Sequence, residues 1–296
     1  MRRFALIAIP YFWLLILFLV PFVIVLKISL SDVALARPPY TPQLDLSAGW
    51  EGLRAFFSEL DFENFVFLTT DDLYWKAYVS SLKIALVSTL LTLLVGYPIA
   101  YGMARAPNEW RPTLLMLVIL PFWTSFLIRV YSWMGILSNE GTLNTVLLWL
   151  GVIDTPLQIM NTNTAVYIGI VYTYLPFMVL PIYSALEKMD ESLIEAAEDL
   201  GCSKLAAFWL VTWPLSRNGI IAGCFLVFIP AIGEFVIPSL LGGSGTLMIG
   251  KVLFEEFFSN RDWPVASAVA VILLLILIIP IILFQHNEQK AREAEG

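Results

Sequence analysis

The chain has 296 residues, of which 59% are hydrophobic and only 14% charged, and its mean hydropathy is +0.80. That charge is too sparse to clothe a water-soluble globule of this size, so a soluble protein is excluded and a multi-span membrane protein remains. Two cysteines, Cys202 and Cys224, and one histidine, His286, leave no disulfide framework, no CxxC or His-rich zinc site and no histidine-dependent triad.

In chain order, Arg2-Arg3 opens an apolar run that reaches Ile28 and contains Pro10 and Pro21. Ala34-Leu35-Ala36 looks like a cleavage site, but the run is too long for a signal peptide and Ala36 lies well beyond its end. An uncleaved first span over 9–30 is predicted, with the twin arginine as a charge anchor. Apolar stretches at 79–103, 113–137, 164–186, 218–241 and 264–284 are also long enough to cross as helices. The expectation is a single all-α integral membrane domain of six transmembrane helices.

An even number of spans puts both termini on one face, together with Arg105, Arg111, Lys188, Lys204, Arg217, Lys290 and Arg292. With Arg2 and Arg3, nine of the 17 basic residues share that face, which the positive-inside rule makes cytoplasmic. The outer loop 31–77 holds eight Asp or Glu against three Lys or Arg. Its interleaved aromatics and acids predict short amphipathic helices at the interface. The acids, Asp61, Glu63, Asp71 and Asp72 among them, either draw cations to the outer mouth or are simply solvated.

Residues 187–217 form a polar loop between the fourth and fifth spans and contain "EAAEDLGCSKLAAFWLVTWP". Ser192 and Glu195 fit a capping box, and Leu193, Ala196, Ala197 and Leu200 make a flat apolar stripe. Gly201 suits a left-handed turn, Ser203 caps a second short helix with Leu205, Phe208 and Trp209, and Pro214 is expected to stop it. Helices this short need a supporting surface. Trp209 either anchors in lipid headgroups or touches a partner.

Two charges fall inside predicted spans. On straight helices, Glu234 and Arg129 would both stand roughly 24 Å from the inner face. They form either a structural ion pair or a substrate path in which Glu234 takes a cation and Arg129 restrains the empty site. Gly233 and Pro238 loosen the helix beside Glu234. Tyr167 and Tyr174 share a helix face and serve either as core or as cation-holding aromatics. Gly245 to Lys251 spells most of a phosphate loop, but Val252 replaces the magnesium-binding Ser or Thr, so no ATPase site is expected. Asp71-Asp72 and Glu255-Glu256 lack a partnering nucleophile and read as solvated charge.

Glu195-Ala196-Ala197, three residues, Gly201, nine residues and then Val211-Thr212-Trp213-Pro214 resembles the EAA loop of ABC-importer permeases. Val211 stands for the usual Ile, and Trp213 departs from the usual Leu. The segments "LPFWTSFLIRVYSWMGIL", "NTNTAVYIGIVYTYLPFMVLPIY", "IPAIGEFVIPSLLGG" and "FFSNRDWPVASAVA" are similar to the polyamine subfamily. The resemblance implies a type I importer permease fold with a cytoplasmic coupling helix pair, in which Glu195, Ala196, Ala197, Gly201 and Pro214 engage the ATPase. It implies a second unlike permease, two ATPase subunits that hold the ATP and magnesium, and a periplasmic polyamine-binding protein, with no cofactor in this chain and no nucleic acid. The location implied is the bacterial inner membrane, among lipid, and the cargo is putrescine, with spermidine or another compound as the alternative. An ion-gradient-driven transporter is the competing class; it would show duplicated halves, and none is visible.

Overall fold

The structure, a computed structural model, describes residues 2–43 and 49–295. The side chains of Arg2, Arg3, His286, Lys290 and Arg292 lie outside the described set. The chain divides into two compact units, residues 1–77 with 252–296, and residues 78–251.

In the first unit, helix α1 (Arg2–Ser29) runs unbroken through Pro10 and Pro21 and packs along α15 (Trp263–Glu295). Large apolar side chains from Ile9 to Phe18 stand exposed on α1. Such a surface is untenable in water and ordinary in lipid. Between these helices lie an antiparallel ribbon, β1 (Asp32–Val33) with β2 (Tyr40–Thr41), and the short helices α2 (Gly49–Ser58) and α3 (Glu63–Thr70). The helices match expectation. The ribbon does not, because two-residue strands are too short to show an alternating pattern.

Three of the acids in loop 31–77 have partners. Asp61 Oδ1 accepts the Glu63 amide at 2.8 Å, Asp71 Oδ1 accepts the Leu73 amide at 2.8 Å, and Asp72 pairs with Lys76 at 2.9 Å. Glu256 likewise accepts the Tyr74 hydroxyl at 2.9 Å and the Asn260 amide at 2.8 Å. All four of these carboxylates therefore organise the backbone or neighbouring side chains beyond simply carrying charge.

The second unit opens with most of α4 (Asp72–Ala104) and is built around α8 (Asn163–Glu187), which carries Pro176 and Pro181 internally. By length and composition, Ile7–Ser29, Asp72–Ala104 and Asn163–Glu187 each suffice to cross a membrane. The third and fifth expected spans are not straight. Helix α5 (Arg111–Ile119) and a 3₁₀ turn at Leu120–Trp123 meet α6 (Phe126–Leu137) and α7 (Thr142–Trp149) at a 90° bend. Pro121 lacks an amide hydrogen and crowds the preceding turn, and the Thr124 hydroxyl donates to the Pro121 carbonyl at 2.8 Å, holding Thr124 extended. A 64° bend at Ser216 sets Lys204–Leu215 apart from α12 (Arg217–Ile232), and the expected fifth span is itself interrupted where α12 stops at Gly233. The last apolar stretch is Trp263–Ile279 of α15.

Small residues set the α8–α12 contact. A Cβ on Gly219 would lie 2.6 Å from the Pro181 carbonyl oxygen and 2.8 Å from Ala185 Cβ, while one on Gly223 would meet Met178 Sδ at 2.8 Å. Gly219 and Gly223 form a GxxxG pair that lets the two backbones approach. Gly219→Ala pushes against backbone and costs roughly 1–3 kcal/mol, whereas at Gly223 the flexible Met178 yields part of the space. Thermal unfolding of the solubilised chain checks this: the Gly219 variant is expected to melt below the Gly223 variant.

Candidate functional site

Two places concentrate the sequence-predicted residues. The first is the helix pair α9 (Ser192–Asp199) and α10 (Lys204–Ala207), the latter continued by a π turn at Phe208–Thr212 and α11 (Trp213–Leu215). The capping box expected from Ser192 and Glu195 does not form. Asp190 takes that part: its Oδ1 accepts the Ser192 amide at 3.0 Å. The Ser192 amide and hydroxyl hold the Asp190 carboxyl below the usual carboxylate range. A depressed folded value means that this cap is complete above the unfolded carboxyl pKa, about 4, and is lost as pH falls through the lower folded value. Amide exchange should show it: Asp190→Ala is expected to speed exchange at Ser192 near neutral pH, and the wild type should approach the variant only below about pH 4.

The end of α9 agrees with expectation. Gly201 has φ +90°, its amide donates to the Glu198 carbonyl at 2.9 Å, and the Cys202 amide donates to Ala197 at 3.0 Å. That pairing is a Schellman turn, which requires a residue free to adopt positive φ. Ser203 caps α10 by accepting the Ala206 amide. Pro214 does not stop the second helix. The π turn widens the backbone ahead of it, Pro214 sits in the first turn of α11 where no amide is needed, and the helix ends at Ser216.

Glu195, Ala196, Gly201 and Pro214 are exposed and Ala197 is half-buried, so α9 presents an open surface. Beneath the second helix, Trp213 lies tilted 5.1 Å from Tyr97 and 5.4 Å from Trp209, and Phe208 meets Tyr97 and Tyr101 edge-on. The Tyr97 hydroxyl and Ser216 Oγ lie 3.0 Å apart at the bend, and Arg105 pairs with Glu191 at 2.9 Å. The C-terminal end of α4 is thus the support these short helices need. Trp213 replaces the usual leucine with a ring that fits this aromatic nest.

The second place is the break between α12 and α13 (Val236–Leu240). Glu234 sits in it, 7% exposed. Its Oε1 accepts the amides of Val236 at 3.0 Å and Ile237 at 3.3 Å, and its Oε2 accepts the Tyr174 hydroxyl at 2.6 Å. An acid two residues before a restarting helix that contains a proline is a helix-start signal, and it was legible in the chain. Gly250, in α14 (Ile249–Phe254), closes the other side: a Cβ there would lie 2.7 Å from the Glu234 carbonyl oxygen. The second glycine of the phosphate-loop-like segment therefore serves close packing. Around it, the Ile249 amide donates to Ser81 and Thr246 donates to Asn163.

Tyr174 reaches Glu234. Tyr167 is half-buried and makes no hydrogen bond to that carboxylate among the described residues. Arg129 does not pair with Glu234 either; the ion pairs among the described residues are Lys76–Asp72 and Arg105–Glu191. The equal-height argument assumed straight helices, and both helices are broken. Instead the Arg129 guanidinium lies 5.5 Å over the Phe122 ring and 6.0 Å over that of Phe126, with Nε and Nη1 buried and without hydrogen-bond partners. Phe122 meets Phe177 at 5.2 Å, and Phe177 meets Tyr174 at 6.1 Å. The two phenylalanines were not singled out by sequence, since each is one apolar residue in an apolar run.

The family described as binding-protein-dependent transport system inner membrane component matches residues 96–293. The spermidine/putrescine transport system permease protein PotB of Escherichia coli K12 is 50% identical over 207 residues, 70% of this chain and 75% of that protein. PotB of Haemophilus influenzae is 39% identical over 290 residues, 98% of this chain and 95% of that one. A solved bacterial ABC transporter involved in the import of the acidic polysaccharide alginate superposes with a TM-score of 0.68 over 98% of this chain and 95% of that chain, at 15% identity, which is a likeness of fold. Apolar helices long enough to span, the α8–α12 core and these matches agree: the chain belongs to the inner-membrane components of binding-protein-dependent transport systems, the permease subunits of bacterial ABC importers.

Proposed function

We propose that this chain is one permease subunit of an importer that moves polyamines inward, and that Glu234 receives an ammonium group of the cargo on the way. The observation that carries the reading is the state of Glu234. It is buried, three neutral donors hold it in place, and no cationic side chain among the described residues neutralises it. An uncompensated carboxylate buried at membrane depth costs a few kcal/mol, and a cation arriving from outside the chain offsets that cost. The relatives named for spermidine and putrescine transport supply the cargo class, and we place putrescine first.

In this reading the whole chain acts as one transmembrane domain with six crossings and both termini in the cytoplasm. The exposed α9 surface with Glu195, Ala196 and Ala197 docks in a groove of an ATPase subunit, and the turn at Gly201 and the run through Pro214 pass its motion to α12. A second, unlike permease completes the path, two ATPase subunits hold ATP and magnesium, and a periplasmic binding protein delivers the polyamine. Uptake of radiolabelled putrescine and spermidine into vesicles carrying the assembled importer tests the reading. ATP-dependent accumulation that needs the binding protein is expected, with putrescine favoured in direct competition. Accumulation driven by an ion gradient without ATP would overturn the coupling, and uptake of neither amine would overturn the cargo.

A further inference from the structure

Between Glu234 and Arg129 the structure lays a continuous line of aromatic rings. Tyr174 holds Glu234 by its hydroxyl at 2.6 Å, Phe177 lies 6.1 Å from Tyr174, Phe122 lies 5.2 Å from Phe177, and the Arg129 guanidinium rests 5.5 Å over Phe122. Phe177 and Phe122 are each 37% exposed, so the line is open along part of its length. One end is a carboxylate without a counter-ion among the described residues. The other already has a cation seated on a ring, held without hydrogen bonds to Nε or Nη1.

A polyamine has the complementary form. It carries ammonium groups separated by methylene chains; the chains pack on ring surfaces and the charges prefer ring faces or carboxylates. We propose that Tyr174, Phe177 and Phe122 form a rail for the distal cationic end of a polyamine whose first ammonium is on Glu234, and that Arg129 is a tethered stand-in occupying the far end of the rail until cargo displaces it. The inference rests on the polyamine reading above. The exchange is chemically even: one cation replaces another on the Phe122 face, and the released guanidinium regains partners for two buried donors. Arg129 is then a positioning residue that keeps the unloaded rail closed to single cations, while a polyamine anchored at Glu234 holds its second charge beside the ring at high effective concentration.

The test is retention of radiolabelled spermidine by the assembled importer in nanodiscs, with and without excess butylamine as a single-cation competitor. Arg129→Gln is expected to tighten retention by about threefold to tenfold, and Phe122→Leu to weaken it by a similar factor. Phe122→Tyr should restore retention, which a merely space-filling role for Phe122 would not require. In the Phe122→Leu background, Arg129→Gln should bring no gain, because the two act on one site. Butylamine should compete better against Arg129→Gln than against wild type. A full gain from Arg129→Gln without Phe122 would make Arg129 a diffuse repelling charge and overturn the proposal. So would equal behaviour of Phe122→Leu and wild type, or no retention by either wild type or Arg129→Gln. A wild-type importer that takes up no polyamine overturns the cargo reading and this inference together, whereas normal uptake with unresponsive variants overturns this inference alone.

Discussion

Glu234→Gln is expected to cut polyamine uptake by roughly 100-fold while the subunit still assembles. The amide oxygen of glutamine can take the Val236 and Ile237 amides as Glu234 Oε1 does, and the Tyr174 hydroxyl can turn to accept from the new NH₂ group. What disappears is the charge. A charge-assisted hydrogen bond to an ammonium is worth up to about 3 kcal/mol, so uptake should fall by roughly 100-fold. Glu234→Ala is the contrast. It leaves two amides and a buried hydroxyl without partners, and helix capping alone is worth about 1–2 kcal/mol, so the amount of assembled subunit should fall as well. Uptake by reconstituted vesicles, normalised to the assembled subunit recovered by size exclusion, separates the two effects. Normal uptake by Glu234→Gln would remove Glu234 from the path.

The second large effect is expected at the α9–α10 turn. Gly201 has φ +90° and donates its amide to Glu198, and proline permits neither, so Gly201→Pro should cost roughly 3 kcal/mol locally. The damage is confined to an exposed turn, and the packing of α8 on α12 does not depend on it. Insertion should therefore survive while ATP hydrolysis by the partner subunits no longer responds to loaded binding protein, and uptake should drop at least tenfold. Glu195→Lys tests the same surface by another route. Glu195 is exposed and holds no cap, so reversing its charge near the helix start should change stability by only about 0.3–1 kcal/mol. Lost coupling in that variant would then report a lost contact with a partner. If both variants couple and transport normally, α9 is not the docking helix.

Much of this molecule was legible in one dimension because the bilayer sets a simple requirement of length and apolarity. Helices over 9–30, 79–103 and 164–186 obey that rule and are present as single elements. Turns governed by nearest neighbours were legible too: only a residue free to take positive φ ends α9 as Gly201 does, and Ser203 caps α10 directly after it. Gly233 and Pro238 marked the place where the fifth span comes apart. What the sequence could not decide was which side chains meet. In a run that is apolar all round, no periodic stripe tells which face turns inward, so Tyr167 and Tyr174 stood equal until packing against the α12–α13 break chose Tyr174. The two share a face of α8 about two turns apart, so the choice turns on height along the helix, and Tyr174 is the one level with Glu234. The 90° bend after Pro121 moved Arg129 away from Glu234 and onto Phe122, and only the tertiary structure shows where a bent helix comes to rest. Local chemistry determined where the backbone bends and turns; the buried carboxylate's neighbours were decided by the close packing of helices far apart in the chain.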